Sequence, residues 1–370
     1  VMTIVGTRPE IIKLSCVIKE LDKCVEHLLV HTGQNYDYEL NQIFFDGLGL
    51  RRPDRFLDAA GEGPIATISN VLSRCDSALD ADRPNAVLFL GDTNSCLAAI
   101  AAKRRKIPIF HMEAGNRCFD DRVPEEVNRR IVDHISDINM PYTEHARRYL
   151  LNEGIKPETI IKTGSPMKEV LADQQNSIES SNALSELGLK PGGYFLASIH
   201  REENVDDMKR LGEVLAALDA TCKRYELPII VSTHPRTRKR MEARQALGND
   251  QVRFLKPFGF ADYVCLQKNA FCVLSDSGTL TEEASLLGFA AVMLREAHER
   301  PEGMDEGTLI MSGAGATGIL EAIEVVTERH ARRNFVTRVV PDYNVDNVSA
   351  KVVNIILSYT DYVNRTVWRK

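Results

Sequence analysis

Ile107-Pro108-Ile109-Phe110-His111-Met112-Glu113-Ala114-Gly115-Asn116-Arg117 is the stretch on which the fold of this chain turns. An apolar run that stops at an acid reads as a strand buried on both faces, the kind found in parallel sheets. The spacing predicts a strand over Ile107–Phe110, with Glu113 just past the end of the run, and ligand sites in open α/β sheets gather at such carboxyl ends. Downstream, Val123-Pro124-Glu125-Glu126-Val127-Asn128-Arg129-Arg130 sets a proline where a helix would begin and Glu125 in its first turn. The two quoted stretches thus bring three acids and three arginines within eighteen residues. Such a cluster suits proton transfer beside an anion; taken alone it also suits solvated ion pairs.

Outward from this stretch, short β-rich runs alternate with helical-period segments along the whole chain, the pattern of parallel sheets covered by helices. The first half offers strands at Met2–Val5, His27–His31, Ala86–Leu90, Ile107–Phe110, Ile138–Met140 and Ile160–Thr163. A polar stretch from Asp173 to about Asn182 has linker composition, and Lys190-Pro191-Gly192-Gly193 opens a second series. Its strands are expected at Tyr194–Ile199, Pro228–Ser232, Val252–Leu255, Phe271–Leu274 and Ala290–Leu294, before a last helix from about Asn347 to Trp368. The expected organisation is an N-terminal domain over 1–172, a second over 173–346 and a C-terminal helix over 347–370. The fold class is α/β, two Rossmann-like doubly wound domains facing a central cleft, the glycosyltransferase-B type of architecture.

Composition narrows the function classes. At 370 residues the chain exceeds one ordinary domain. A net charge of -6 gives no sign of a nucleic-acid-binding surface, and the short basic run Lys103-Arg104-Arg105-Lys106 reads as a solvated helix end. No segment approaches eighteen uninterrupted apolar residues, so no membrane partner is expected. No secretory leader is evident, although the chain starts directly in a strand. Eight cysteines lie scattered without CxxC or metal-ligand spacing, which suits free thiols in a reducing cytoplasm and no metal site. Cys118, inside the acid cluster, has no nucleophile pattern beside it and reads as structural.

Several strand ends carry candidate chemistry. Gly6-Thr7-Arg8-Pro9-Glu10 opens the first helix with Lys13 one turn on, and a helix N-terminus bearing Arg8 and Lys13 suits a phosphate. It is neither GxGxxG nor a Walker motif, so NAD or ATP is weakly supported, and a simple tight turn fits as well. Asp92 in Gly91-Asp92-Thr93 ends the run Val87–Leu90 at the same edge as Glu113; it suits a helix N-cap as well as catalysis. In the second half, Ser198-Ile199-His200-Arg201-Glu202-Glu203-Asn204 and Thr233-His234-Pro235-Arg236 each deliver a histidine at a strand end. Ser275-Asp276-Ser277-Gly278-Thr279 offers hydroxyls and N–H groups to a diphosphate, and an acid one turn further in could accept bonds from ribose hydroxyls. Arg295 to Gly303 forms another charged loop.

Together these residues resemble the non-hydrolysing UDP-N-acetylglucosamine 2-epimerase family. GTRPE with its lysine, GDT, EAG, PEE-NR, HRxE, THPR, SDSG-EE and ERPE stand in the family's order across nearly the whole chain. The resemblance implies the two-domain glycosyltransferase-B fold, a homodimer, no NAD or other cofactor, and a UDP-sugar and UDP as ligands. It implies a reaction that removes the C2 proton, expels UDP to leave a 2-acetamidoglycal, then returns UDP and a proton to the opposite face. By it, Asp92, Glu113 and Glu125 correspond to the catalytic acids and His200 to the catalytic histidine. Arg8, Lys13, Arg129, His234, Ser277, Gly278 and Glu283 fall on UDP or diphosphate contacts, with Tyr263 stacking near the uracil. The chemistry agrees: a weakly acidic C2 proton needs a carboxylate base away from water, and departing UDP needs positive charge.

Departures refine the resemblance. The family's EAGLRT followed by PFPEE or PWPEE reads EAGNRC followed by RVPEE, at shorter spacing, and SDSGG reads SDSGT. The TAQH or TGQH stretch linked to an activating second UDP-sugar reads Thr32-Gly33-Gln34-Asn35-Tyr36. With GDTNSC and the terminal SYTDYVNRTVW, these features resemble the subgroup that converts UDP-2-acetamido-2,6-dideoxy-L-talose to UDP-N-acetyl-L-fucosamine for capsule or O-antigen. The alternatives are the parent interconversion of UDP-GlcNAc and UDP-ManNAc and, more distantly, a glycosyltransferase of the same architecture, in which the three acids would have no clear purpose.

Overall fold

The computed structural model describes residues 1–34, 38–233, 250–332 and 338–370. They divide into two compact units, Val1–Asp173 with Pro341–Lys370, and Gln174–Val340.

The first unit holds a parallel sheet of β1 (Met2–Val5), β2 (Leu28–His31), β3 (Arg55–Phe56), β4 (Val87–Leu90), β5 (Ile109–Met112) and β6 (Ile138–Met140), in the order β3-β2-β1-β4-β5-β6. Strands β1, β4, β5 and β6 are buried along their whole length, as a sheet with both faces covered requires. Leu90 is registered opposite Met112, so Gly91-Asp92 and Glu113 leave the sheet side by side. The strand expected at Ile107 begins two residues later because Pro108 has no N–H to give the ladder. The run Ile160–Thr163 makes only a single bridge, Ile160 to Asn139. Its partner edge there is Pro141, which again lacks an N–H and can only accept, from Thr163 N at 3.0 Å. Edge strand β3 escaped the sequence reading because its two residues are exposed and carry no apolar run.

The second unit repeats the plan with β7 (Phe195–Ser198), β8 (Ile229–Ser232), β9 (Val252–Leu255), β10 (Cys272–Ser275), β11 (Ala291–Met293) and the unanticipated pair β12 (Ile310–Met311), in the order β12-β11-β10-β7-β8-β9. Counted within each unit, both sheets run third, second, first, fourth, fifth, sixth. The order reverses between β1 and β4 and between β7 and β10. Those are the switch points at which doubly wound sheets take ligands.

Helices follow from local signals. The helix Arg8–Cys24 starts from a Thr7 and Glu10 capping box, carries Pro9 in its first turn and buries Ile11, Leu14, Val17, Ile18 and Leu21. The last helix, Val348–Val363, buries Val352, Val353, Ile355 and Ile356 and packs on Arg8–Cys24. Asp342 anchors the return of the chain: its carboxylate lies 2.7 Å from Lys162 Nζ and accepts Glu144 N at 2.9 Å, and its carbonyl accepts Ser165 N at 3.0 Å. The second unit therefore closes at Val340, short of the boundary expected at 346, and the terminal helix completes the first unit.

The basic run is less solvated than expected. Lys103 pairs with Asp137 at 2.5 Å, and Arg105 with Asp76 and Asp80 at 2.6 Å each. Trp368, half-buried, lies with its ring centroid 5.1 Å from Lys103 Nζ. All eight cysteines are unpaired. Among the described residues no helix is long and apolar enough to cross a membrane, and no cluster of side chains could hold a metal ion.

Candidate active site

In the first unit, the switch point brings together the Gly6-Thr7 turn after β1 and the Gly91-Asp92 turn after β4. Gly6 packs so closely on Thr32 and Ser95 that a Cβ would overlap both hydroxyls. Buried Glu10 accepts Gly6 N at 2.8 Å, Thr7 N at 2.7 Å and Thr93 Oγ1 at 2.8 Å. The Gly6 and Thr7 N–H groups of this turn are therefore occupied from within. Burial pushes the Glu10 carboxyl above its ordinary value despite these donors. What the turn offers an anion is side-chain charge: half-buried Arg8, whose guanidinium lies 5.6 Å from the Phe44 ring centroid, and Lys13.

Glu113, past the end of β5, sits at φ 61°. A non-glycine residue held in the left-handed region carries strain that the surroundings must sustain, which is common at working sites. Its Oε2 lies 2.5 Å from Lys13 Nζ, and its Oε1 accepts Asn116 Nδ2 at 3.3 Å. Lys13 also faces the Tyr142 ring, 5.8 Å from its centroid.

Asp92 meets Arg129 through one carboxylate oxygen, 2.6 Å from Nη2 and 3.0 Å from Nε. Asn128 Nδ2 donates to the Asp92 carbonyl at 3.0 Å, so the Pro124–Ile135 helix grips the β4 turn at two points. Arg129 Nη1 is 2.7 Å from Glu126 Oε2. The two glutamates after Pro124 thus divide. Glu126 is fully buried and accepts Cys118 N at 3.0 Å and Phe119 N at 3.3 Å; burial opposes its charge, yet these donors and Arg129 hold its carboxyl below the ordinary range. Glu125 is half-buried in the first turn. Cys118 meets Glu126 through both its N–H and its thiol.

Beneath both turns lies a buried cluster that the sequence reading missed. His111 Nε2 is 2.7 Å from the Gly91 carbonyl and Nδ1 2.9 Å from Asp133. Asp133 also meets Arg117 at 2.7 Å and accepts Gly115 N at 3.1 Å. Arg117 forks onto Glu153 at 2.7 and 2.6 Å. Burial disfavours an imidazolium, but Asp133 outweighs it and the His111 pKa is raised; burial would likewise lift Asp133, which His111 and Arg117 hold below its ordinary value. Gly115, at φ 82°, passes so close to the Ala146 backbone that no side chain fits. This cluster ties the residue before Asp92 to the turn after Glu113.

In the second unit, the switch point joins Ile199-His200-Arg201 after β7 to Asp276-Ser277-Gly278 after β10. His200 Nδ1 lies 3.1 Å from Asp276, and the His200 side chain is 38 % exposed. Ser277 Oγ is 3.0 Å from Thr279 Oγ1. The Gly278 carbonyl accepts Arg300 Nε at 2.7 Å, and Arg300 pairs with Glu282 at 2.8 Å. Buried Glu283 accepts Gln267 Nε2 at 2.6 Å, so one of its oxygens is engaged within the protein. The Tyr263 hydroxyl pKa is pushed up by burial and by Glu283. His234 lies outside the described residues, as does part of the stretch after Thr32. Arg295 pairs with Glu299 at 3.0 Å, both buried, so the charged loop after β11 is largely internally satisfied.

Residues 19–357 match the model of the UDP-N-acetylglucosamine 2-epimerase family. The solved UDP-N-acetylglucosamine 2-epimerase of Rickettsia bellii is 57 % identical, with a TM-score of 0.92 over 100 % of this chain and 99 % of that one. The UDP-GlcNAc 2-epimerase of Methanocaldococcus jannaschii in complex with UDP-GlcNAc and UDP is 32 % identical, with a TM-score of 0.90 over 96 % of this chain and 99 % of that one. A Pseudomonas aeruginosa relative, UDP-2,3-diacetamido-2,3-dideoxy-D-glucuronate 2-epimerase, is 35 % identical over 87 % of this chain and 90 % of its own length.

Proposed function

Because this chain belongs to the UDP-N-acetylglucosamine 2-epimerase family, and is therefore a UDP-sugar isomerase, we propose that it inverts C2 of a UDP-2-acetamido sugar by eliminating and re-adding UDP. The observation that carries the mechanism is the pairing of acids and cations at adjacent ends of β4 and β5, Asp92 with Arg129 and Glu113 with Lys13. A carboxylate takes the C2 proton, the C2–H electrons form the C1–C2 double bond, and the C1–O bond breaks with its electron pair leaving on UDP. Positive charge from Arg8, Lys13 and Arg129 stabilises the departing diphosphate. Re-addition runs the same steps backwards, with an acid delivering a proton to the other face of C2 and UDP oxygen returning to C1. Asp92, Glu113 and Glu125 supply these proton transfers, with His200 as a further catalytic group. In the second unit, Ser277, Gly278 and Glu283 hold UDP, with His234 and Tyr263 completing that site. The working form is a homodimer in the cytoplasm and needs no NAD.

For the sugar we propose UDP-2-acetamido-2,6-dideoxy-L-talose, converted to UDP-N-acetyl-L-fucosamine for a surface polysaccharide. Support comes from the altered EAGNRC to RVPEE loop, whose Asn116 amide, buried, bonds to Glu113 where the family's usual residue is leucine. The name of the Pseudomonas aeruginosa relative supports substrate variation among similar chains. The name of the Rickettsia bellii protein favours the second reading, UDP-GlcNAc and UDP-ManNAc. Incubation with each UDP-sugar, with C2 configuration followed by NMR, tests both. A kcat/KM at least about 10²-fold higher for the L-talo sugar is expected, the scale on which a hydrophobic pocket rejects an added hydroxyl. Equal or inverted preference overturns the L-sugar assignment, and no C2 inversion in either overturns the activity.

A further inference from the structure

Asp276, in the turn after β10, is a heavily engaged carboxylate of the second unit's switch point, and the hydrogen bonds described on it all come from N–H groups. His200 N reaches both of its oxygens at 3.1 Å, Arg201 N one at 3.0 Å, and Asn204 Nδ2 one at 3.1 Å. His200 Nδ1 also lies 3.1 Å from the carboxylate. The amide of Asn204 is itself fixed: Nδ2 also donates to the Leu294 carbonyl at 2.9 Å, while Oδ1 accepts Arg210 Nε at 2.9 Å. Asn204 therefore cannot turn its oxygen toward Asp276. Asp276 and Asn204 are wholly buried, whereas His200 reaches the surface. Burial opposes a charge on Asp276, but His200 and the surrounding N–H groups hold its carboxyl below the ordinary range, so it is an acceptor throughout.

An ionised carboxylate can only accept, so the ring nitrogen facing it must carry a proton. The geometry points to Asp276 as a positioning residue for His200: it fixes the neutral ring as the Nδ1–H tautomer, so that any proton exchanged with the sugar nucleotide moves through Nε2. The ring is held at its backbone N–H and at Nδ1 by one carboxylate, which restricts its rotation as well as its tautomer. This inference rests on His200 taking part in the proposed reaction, and its test separates the two.

The protein labelled with ¹⁵N-histidine, saturated with UDP, is examined by long-range ¹H–¹⁵N correlation at a pH where the ring is neutral, with His200→Gln identifying the resonance. A pyridine-type signal at Nε2 is expected; one at Nδ1 overturns the assignment whatever the catalytic activity. In parallel, Asp276→Asn, which presents an amide N–H₂ or a weaker acceptor to the ring, should lower kcat by about 10²–10⁴-fold with KM and calorimetric UDP affinity changed less than about threefold. In a His200→Ala background the same substitution should cost less than about threefold more, because its effect passes through the ring. Full multiplication of the two losses would show that Asp276 only supports the turn and would overturn the proposal. If Asp276→Asn fails to fold, the tautomer of the unaltered protein decides alone. Absence of C2 inversion in the unaltered protein, with the Nε2 signal present, would contradict the proposed function and leave the Asp276–His200 relationship standing.

Discussion

Lys13 and Glu113 are 100 residues apart in sequence and 2.5 Å apart in space, Nζ to Oε2, with side chains 4 % and 11 % exposed. A residue expected at the diphosphate thus holds a residue expected at the sugar. Removing one partner of a buried pair costs about 3–5 kcal/mol, because the other charge loses its counter-ion without regaining water. Lys13→Ala should accordingly lower the melting temperature clearly and weaken UDP binding. Glu113→Gln keeps an oxygen for Lys13, so it should lose about 10²–10⁴-fold in turnover with a smaller change in melting temperature. Calorimetry and NMR turnover assays on both variants measure the contrast; a destabilised but fully active Glu113→Gln would contradict it.

The neighbouring glutamates of the Pro124–Ile135 helix should separate in the same assays. Glu126 accepts two backbone N–H groups and pairs with Arg129 and Arg130, so Glu126→Gln should be destabilising by at least about 1–3 kcal/mol, the cost of leaving buried donors poorly matched. Glu125→Gln should unfold near the unaltered temperature while losing turnover. The reverse pattern would exchange their roles.

Stability should carry a pH signature of His111. Its folded pKa is raised above the ordinary 6.5, so its contribution is fully present below that value and is lost as pH rises through the higher folded value. The lowered pKa of Asp133 acts at the other end: its contribution is present above 3.8 and lost as pH falls through the depressed folded value. The gap in melting temperature between the unaltered protein and His111→Gln should therefore be widest near about pH 6 and narrow toward alkaline pH. A gap that widens on the alkaline side would mean that His111 is buried neutral.

The fold was legible because most strands of the two parallel sheets are buried, so they announce themselves as apolar runs, several of them ending at Gly, Asp, Glu or His. Edge strand β3 carries no such run, β12 carries only the short Leu309-Ile310-Met311, and Ile160–Thr163 carries one that Pro141 cannot ladder with. The acids Asp92 and Glu113 were legible for the same reason, since each follows a run. What holds them was not. Donors to Asp276 come from residues 72 to 76 positions away, and His111 meets Gly91 across 20. Such contacts are set by the lateral order of strands, which spacing along the chain does not encode. Glu10 shows the same limit locally: the N–H groups of Gly6 and Thr7 look open to an anion until their own capping carboxylate is placed on them.

The most direct test of elimination and re-addition is the hydrogen at C2. After reaction in D₂O without added NAD, the epimerised UDP-sugar should carry one deuterium at C2 and none elsewhere on the ring, by mass spectrometry and ¹H NMR. An epimer that keeps its original hydrogen at C2, or that forms only when NAD is supplied, would contradict it.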